Sequence, residues 1–180
     1  MARIIGGVAG GRRLATPKGR ATRPTSDRVR EGLFSSLGGD LRGRAFLDLY
    51  AGSGAVGLEA ASRGAAPVVL VERDARAVAV LRSNVAAVDL IDVVVRAEPV
   101  SRFLAEPADI RFDVVFLDPP YADPVGEVLS RVVDGEWLAP DGVVVVERAS
   151  RDGTPGWPAN LVPDRSRRYG DSTLWYGRRP

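Results

Sequence analysis

Two short stretches of the sequence contain residue types and spacings that suit chemistry. The first is AGSGAVG at residues 51–57, whose glycines match the nucleotide-binding pattern G-x-G-x-x-G. The second is DPPY at residues 118–121, in which two prolines separate a carboxylate from an aromatic ring. Glu72 follows Gly52 by 20 residues, the spacing at which a carboxylate accepts hydrogen bonds from a bound ribose. The sequence therefore predicts a bound nucleotide or nucleoside beside a reactive carboxylate.

The glycine loop and Glu72 do not by themselves identify the ligand, because a nicotinamide dinucleotide and S-adenosylmethionine both contain a ribose. Asp48 precedes the loop within FLDLYAGSG and distinguishes the two ligands by charge. An anion here repels a pyrophosphate, whereas it attracts the α-ammonium group of S-adenosylmethionine. We therefore expect S-adenosylmethionine as the cofactor, and an NAD-dependent oxidoreductase remains the alternative from another class.

The DPPY stretch suits activation of an exocyclic amine on a nucleobase. Because Pro119 and Pro120 restrict the backbone, the Asp118 carboxylate and the Pro119 carbonyl can accept both N–H groups of one amine. These hydrogen bonds make the nitrogen lone pair available to the methyl sulfonium, and Asp118 can then accept or relay the released proton. Tyr121 offers an aromatic face for a flipped base, a stacking contact of about 1–3 kcal/mol. This methyl transfer needs no protein nucleophile and no metal.

The composition excludes several other kinds of catalysis. The 180 residues contain no cysteine and no histidine, so the chain has no thiolate metal site, no histidine base and no Ser-His-Asp triad. The sequence also lacks an uninterrupted apolar run of about 20 residues and a signal peptide, so we expect a cytoplasmic protein without a membrane span. The length fits one domain, and we expect a monomer.

Charge is distributed unevenly along the chain. The net charge is +7 over residues 1–30, −8 over residues 31–150 and +3 over residues 151–180. Nearly all the cations are arginines, whose planar guanidinium group donates two parallel hydrogen bonds to a phosphate. A basic N-terminal arm suggests a nucleic-acid partner, although charge alone favours a solvated basic tail equally well. The candidates for RNA contact in the arm are Arg12, Arg13, Arg20, Arg23 and Arg30.

Strand and helix patterns alternate along the rest of the chain. Short apolar runs predict strands buried on both faces of a parallel sheet, and amphipathic stretches predict the helices between them. The predicted strands are 44–50, 67–72, 92–96, 112–118, 142–148 and 172–178, and the predicted helices are 27–37, 54–64, 75–88, 99–106 and 124–134. Residues 3–24 are predicted to form a small hairpin and an extended arm. This alternation predicts a doubly wound α/β fold, in which Asp48, Glu72 and Asp118 meet at one edge of the sheet.

These motifs together resemble the RsmD family of bacterial 16S rRNA guanine-N2 methyltransferases. The resemblance covers most of the chain, and RPTSDRVREGLF at residues 23–34 is its most specific part. The other matching stretches are RIIGG (3–7), GRRL (11–14), FLDLYAGSGAVGLEAASRGA (46–65), VERD (71–74), DPPY (118–121) and YGDSTLWYGR (169–178).

The resemblance implies a Rossmann-like class I S-adenosylmethionine-dependent methyltransferase fold. The expected sheet is mostly parallel, with seven strands and an antiparallel last strand. A basic hairpin and helix at residues 1–40 are expected to precede a catalytic domain at residues 41–180. The implied substrate is 16S rRNA, within the small ribosomal subunit (30S) or its assembly intermediates.

The resemblance also implies roles for particular residues. Asp118, Pro119, Pro120 and Tyr121 would form the catalytic loop, and Arg23 to Thr25 would close over the site or touch RNA. The cofactor would contact Asp48, Tyr50, Ala51, Gly52, Ser53, Gly54, Glu72, Arg73, Ala97 and Glu98. One departure from the usual pattern is Pro99, which has no N–H, so we expect the cofactor adenine to contact Ala97 or Glu98.

A DNA adenine-N6 methyltransferase is the alternative within the same fold, because DPPY suits adenine equally well. Residues 121–142 are too short to contain a module that reads a duplex site, which favours rRNA as the substrate.

Replacing Arg12, Arg13 and Arg23 with alanine is expected to weaken RNA binding far more than cofactor binding, because the arm supplies phosphate contacts. For the same reason, the RNA affinity of the parent protein is expected to fall steeply with salt. Filter binding of RNA and calorimetric titration with S-adenosylhomocysteine measure the two affinities. An equal loss of both would contradict the role of the arm.

Overall fold

The computed structural model describes residues 2–17, 26–120 and 125–180. These residues form a seven-stranded sheet with helices on both faces and a separate two-stranded hairpin near the N-terminus. The strands are β1 (Ala2–Arg3), β2 (Arg13–Leu14), β3 (Phe46–Leu49), β4 (Val68–Val71), β5 (Val93–Arg96), β6 (Phe112–Leu117), β7 (Leu138–Ala149), β8 (Val162–Tyr169) and β9 (Ser172–Arg178). The helices are α1 (Asp27–Ser36), α2 (Ala55–Ser62), α3 (Ala75–Val88), α4 (Val100–Phe103) and α5 (Val125–Asp134), with a short 3-10 turn at Ser150–Asp152.

The large sheet has the strand order β5-β4-β3-β6-β7-β9-β8. Strands β3 to β7 pair in parallel, whereas β9 runs antiparallel to both of its neighbours. The predicted seven-stranded α/β sheet with an antiparallel last strand is therefore confirmed. Strand β8 was absent from the strand prediction, because most of its side chains are exposed and the stretch VPDRSRRY has no apolar run.

The core has one part on each face of the large sheet. Successive side chains of a strand point to opposite faces, so neighbouring residues enter different clusters. On β3, Phe46 packs with the side chains of α1 and α2, whereas Leu47 packs with those of α4 and α5. Strands β3 and β4 are buried along their whole length, which explains their continuous apolar sequences. No helix of the described ranges combines the length and apolarity needed to traverse a bilayer.

The N-terminal hairpin is joined to α2 by buried polar groups as well as by apolar contacts. Ile4 and Leu14 pack against Leu58 of α2. The Glu59 carboxylate, which is fully buried, accepts hydrogen bonds from the backbone N–H groups of residues 5 and 6 at 2.6 and 2.8 Å. Its partner on α2 is Arg63, at 2.8 Å. The hairpin is thus attached to the first helix that follows the glycine loop.

The structure corrects one prediction of an RNA contact. Arg30 is fully buried, and its guanidinium group lies between three segments. It donates hydrogen bonds to the carbonyl oxygens of Arg3 (2.8 Å) and Ala55 (3.3 Å) and forms an ion pair with Asp27 at 2.6 Å. A guanidinium group enclosed in this way does not reach an RNA phosphate. The prediction for Arg30 was wrong, and the residue instead connects α1 to the hairpin and to α2.

Arg30→Ala is expected to lower the free energy of unfolding by about 2–4 kcal/mol, because it removes buried volume and leaves backbone carbonyls without donors. Urea denaturation followed by circular dichroism measures this loss. Arg28→Ala is the matched control, because Arg28 lies on the same helix but is exposed, and a change within about 0.5 kcal/mol is expected. Equal losses in both variants would contradict the structural role of Arg30.

Candidate active site

The candidate active site lies where the strand order of the large sheet reverses. From β3 the chain continues outward through β4 and β5, and it then returns to β6 on the other side of β3. Ligands of doubly wound folds bind in the crevice that this reversal opens at the carboxyl ends of the strands. The glycine loop follows β3, and the DPP stretch follows β6. The fold therefore brings the two sequence motifs to the same crevice.

Among the described residues, four carboxyl groups lie at or near the carboxyl ends of β3, β4, β6 and β7, and Glu98 follows β5 at the same edge of the sheet. The pairing of Leu117 on β6 with Val146 on β7 puts the next residues of the two strands, Asp118 and Glu147, side by side. The four carboxyl groups belong to Asp48, Glu72, Asp118 and Glu147. In the part of the chain that the structure describes, no group of acidic side chains has the arrangement of a metal site.

Glu72 connects the glycine loop to the loop that follows β4. Its Oε2 atom accepts a hydrogen bond from the N–H of Gly52 at 2.9 Å, and its Oε1 atom accepts one from the N–H of Asp74 at 2.8 Å. Each carboxylate oxygen can accept a second hydrogen bond. The side chain predicted to hold a ribose is therefore fixed in place by the backbone and retains acceptor capacity.

Asp48 lies beneath the first turn of α2. It is only 2% exposed, and its Oδ2 atom accepts a hydrogen bond from the N–H of Gly57 at 2.9 Å. Burial raises the pKa of Asp48 to about 8; the Gly57 hydrogen bond opposes this rise, and the charge of Glu72 adds to it. The group is therefore mostly neutral at pH 7 and ionises readily when a cation comes close.

Two glycines of the loop are required for different structural reasons. Gly54 has a φ of +84° and begins α2 without a capping side chain of its own, and in the first turn the N–H of Gly57 is bound by Asp48 instead. A Cβ atom on Gly54 would lie 2.4 Å from a methyl group of Leu81. A Cβ atom on Gly57 would lie 2.0 Å from a methyl group of Leu70, so this glycine allows α2 to pack closely on β4.

Asn84 on α3 is a site residue that the sequence analysis missed. Its side chain is 3% exposed and makes three hydrogen bonds. The amide oxygen accepts from the N–H of Ala15 at 2.8 Å, and the amide nitrogen donates to the carbonyl oxygens of Ala15 (3.0 Å) and Ser53 (2.9 Å). Asn84 thus connects the glycine loop to the chain that leaves the hairpin. The helical spacing from Leu81 and Val88, both buried, was the available signal.

The DPP stretch lies across the crevice from the glycine loop. Asp118 and Pro119 are half-buried and Pro120 is exposed, whereas Tyr121 lies outside the described residues. Burial raises the pKa of Asp118 well above its usual range, and the neighbouring charges of Glu147 and Asp48 raise it further. Glu147, which is 7% exposed, was also missed by the sequence analysis, although an acid at the end of the apolar run GVVVVER was a visible signal.

The remaining predicted cofactor contacts surround the same crevice. Tyr50 and Ser53 are half-buried in the loop around Gly52, with Ala51 buried between them. Arg73 and Ala97 follow β4 and β5 and are exposed. The Glu98 carboxylate is held by Arg96 at 2.7 Å and Arg102 at 3.7 Å. The structure thus brings all of these residues to one edge of the sheet, and their contacts with a cofactor stay predictions.

The arm residues that were predicted to contact RNA differ in their exposure and in their hydrogen bonds. Arg13 is exposed. Arg12 donates hydrogen bonds to the carbonyl oxygens of Ala87 (3.1 Å) and Val88 (2.6 Å), where it also complements the negative end of the α3 dipole. Arg12 therefore has a structural role, and its RNA contact stays a prediction. Arg20, Arg23 and Thr25 lie outside the described residues.

An α/β sheet with this strand order, in which an antiparallel strand is inserted beside β7, is the class I methyltransferase fold. The model of a family described as "Conserved hypothetical protein 95" matches residues 2–178. The chain belongs to this family, which is the RsmD family that the motifs resemble.

Individual relatives agree with this assignment over nearly the whole chain. Ribosomal RNA small subunit methyltransferase D of Escherichia coli K12 is 39% identical, over 88% of this chain and 80% of the relative. YlbH of Bacillus subtilis is 36% identical, over 93% and 94% of the two chains. The solved structure of yhhF from Escherichia coli superimposes with a TM-score of 0.89 at 35% identity, over 98% of this chain and 97% of that one. The Thermus protein TTHA0928 gives a TM-score of 0.82 at 36% identity, over 98% of both chains.

Asp48→Asn is expected to stabilise the fold relative to the parent, increasingly so as pH rises from about 4 to about 8. The carboxyl group has a pKa of 3.8 in its ordinary state and about 8 in the folded protein, so unfolding releases a proton between these pH values. The free energy of unfolding of the parent therefore falls over this range and levels off above it. Asparagine carries no such proton, and the difference is expected to reach on the order of 2–4 kcal/mol at pH 8.

Urea denaturation at pH 5, 7 and 9 measures this difference. Asp109→Asn removes an exposed carboxyl group before β6 and serves as the control. A stability difference between Asp48→Asn and the parent that stays constant with pH would contradict the buried, neutral state of Asp48.

Proposed function

We propose that the protein transfers the methyl group of S-adenosylmethionine to the exocyclic N2 amine of a guanine in 16S rRNA, within the small ribosomal subunit or its assembly intermediates. The observation that carries this proposal is the position of the DPP stretch across one crevice from the glycine loop. A relative at 39% identity, named ribosomal RNA small subunit methyltransferase D, supports rRNA as the substrate.

The residues of the crevice suit this cofactor by hydrogen-bonding capacity and charge. Glu72 has acceptor capacity for the ribose hydroxyls, and its two backbone hydrogen bonds fix it beside Gly52. A cation beside Asp48, such as the α-ammonium group of the cofactor, would favour the ionised form of this carboxyl group. Carboxyl groups in the crevice also disfavour the pyrophosphate of NAD where they are ionised, which argues against an oxidoreductase. When bound, the cofactor would supply an electrophilic methyl group on a sulfonium.

The chain's own contribution to the reaction is to orient an amine and to remove its proton. The Asp118 carboxylate and the Pro119 carbonyl accept hydrogen bonds from the N–H groups of the target, which leaves the nitrogen lone pair directed at the methyl group. After transfer, the nitrogen carries an extra proton, which passes to Asp118. A carboxylate whose pKa is raised by burial and by Glu147 is a stronger proton acceptor than an ordinary one.

The pair of carboxyl groups at the end of β6 and β7 favours guanine over adenine. The Watson–Crick edge of guanine presents two adjacent donors, the N1–H and the N2 amine, whereas that of adenine presents one donor and one acceptor. Asp118 and Glu147 offer two adjacent sets of acceptors. This complementarity supports guanine as the base. Only three residues lie between the end of α5 and the start of β7, which leaves little room for a duplex-reading module.

Incubation with methyl-labelled S-adenosylmethionine tests the proposal on four substrates: 30S subunits from cells lacking the enzyme, naked 16S rRNA, duplex DNA with adenine targets, and no nucleic acid. We expect label in rRNA, preferentially in the 30S subunit, and N2-methylguanine by mass spectrometry. Label in DNA as N6-methyladenine would replace this function with the alternative. Calorimetric binding of NAD in preference to S-adenosylhomocysteine would overturn the class of reaction.

Asp118→Asn is expected to lower kcat by about 10²–10⁴-fold, because the amide still accepts one hydrogen bond but is a far weaker proton acceptor. Affinity for S-adenosylhomocysteine is expected to change by less than about twofold, as judged by calorimetry. Asp109→Asn, outside the crevice, is the matched control and should retain the parental kcat. Parental turnover by Asp118→Asn would exclude the proposed role of this carboxylate.

A further inference from the structure

The outer edge of the large sheet carries a basic surface on the same face as the carboxyl groups of the crevice. The register of the strands shows that the basic and acidic residues lie on the same face. Glu147 on β7 pairs with Leu174 on β9, which in turn pairs with Arg167 on β8, so the three residues form one row across the sheet. Asp118 lies beside Glu147 at the inner end of this row. With neighbouring strands about 4.8 Å apart, the backbone of Arg167 is about 14 Å from that of Asp118.

Arg167 shares its face of the sheet with α1. Leu174, its cross-strand partner, is buried in the core cluster that α1 helps to form. On the same strand, the Arg165 guanidinium donates to the carbonyl oxygen of Ser36 at 3.2 Å, where α1 ends. Towards the crevice, the Tyr169 ring packs so closely on α1 that a Cβ atom on Gly32 would lie 2.2 Å from it. Helix α1 therefore runs along β8, with its N-terminal turn at the end nearer the crevice.

A second exposed cation lies on α1. Arg28 lies four residues before Gly32, so it occupies the same side of the helix one turn closer to the crevice. Both Arg28 and Arg167 are exposed. Within the described residues, neither guanidinium group makes a hydrogen bond or an ion pair, whereas Arg165 is paired with Asp164. We call Arg28 and Arg167 the outer basic pair.

We propose that the outer basic pair binds the phosphate backbone of the RNA next to the target nucleotide. This inference rests on the proposed function. The floor of the crevice carries carboxyl groups, which repel phosphates where they are ionised, so entry of a base is favoured if its flanking phosphates are held elsewhere. Arg167 is an exposed cation at the outer end of the row that begins at Asp118, and Arg28 is an exposed cation on α1, the helix that runs along β8. Their planar groups suit phosphate, and a flipped base leaves its neighbours outside the crevice.

Exposed arginines on an edge strand also prevent pairing with other sheets, and Arg168 allows the two roles to be distinguished. Arg168 is exposed, adjacent to Arg167 on β8, and on the opposite face of the sheet, because it pairs with Thr173 rather than Leu174. Replacing either Arg167 or Arg168 with glutamate keeps a charged side chain on the edge strand. Protection of the edge requires only charge, whereas phosphate binding requires a positive charge on the correct face.

The experiment compares Arg28→Glu/Arg167→Glu with Arg168→Glu and the parent, by filter binding of naked 16S rRNA and 30S subunits in the presence of S-adenosylhomocysteine. We expect the double variant to lose at least tenfold in RNA affinity at 100 mM salt. Its plot of log affinity against log salt should be shallower by about 1.4, the value for two phosphate contacts on a single strand. Arg168→Glu should stay within about twofold of the parent.

An unchanged salt slope in the double variant, or an equal loss of RNA affinity in Arg168→Glu, would overturn the proposal that the outer basic pair binds the RNA backbone. Calorimetry with S-adenosylhomocysteine should give parental affinity for all three proteins, which controls for folding and for an effect on the cofactor loop. Because binding is measured without turnover, a parent that binds RNA but does not methylate it would contradict only the proposed function. A double variant with parental RNA affinity would contradict only this surface.

Discussion

The hydrogen bond from the Gly57 N–H to the Asp48 carboxyl is the contact on which the arrangement of the crevice depends. It joins the middle of a fully buried strand to the first turn of α2, across a gap that admits no side chain at position 57. The glycine loop between these two points is therefore short, tightly curved and anchored at both ends. Glu72 then fixes the middle of the loop through Gly52. The backbone that would face the cofactor is positioned before any ligand arrives.

The distribution of charge follows from the same geometry. Parallel strands that end in acidic residues concentrate carboxyl groups at one edge of the sheet, and burial raises the pKa of Asp48 and Asp118, which favours the neutral forms of these two groups. A cationic cofactor is attracted to such a place, and a polyanion is repelled from it. Exposed arginines lie outside the floor of the crevice, among them Arg13 on the hairpin and Arg167 on the outer edge strand. Under the proposed function, a single small domain would thus accept a cationic cofactor and a nucleic acid at one opening, because the two ligands would meet different parts of its surface.

Much of this fold could be predicted from the sequence, because buried parallel strands are continuous apolar runs and the glycine loop has a recognisable pattern. Helix α3 begins and ends at the predicted residues. Strand β8 was missed because a solvated edge strand has no apolar periodicity. Arg30 was counted with the charges of the arm, although it lies four residues before the buried Phe34 and so shares its side of α1.

The predictions for the crevice were limited by a different factor. A pattern of glycines and acids identifies groups that face a ligand, but it does not identify side chains that act between segments far apart in the chain. Asn84 contacts residues 69 and 31 positions away, and no local spacing encodes those distances. Glu147 can be recognised as a site residue only from the register of β6 and β7, which puts it beside Asp118. Such residues are found from packing, because their neighbours are set by topology.

The buried carboxylate of Glu59 has a consequence for how the protein can be divided. Its hydrogen-bond partners include backbone amides of the hairpin, so the anion inside α2 is solvated by a segment that precedes the glycine loop by some 45 residues. A shortened polypeptide that starts after Leu14 would enclose this charge with Arg63 as its remaining partner among the contacts described. The N-terminal hairpin is consequently an integral part of the folded core. Exchanging it between homologues requires that the turn at residues 5 and 6 match the acidic side chain of the α2 helix that receives it.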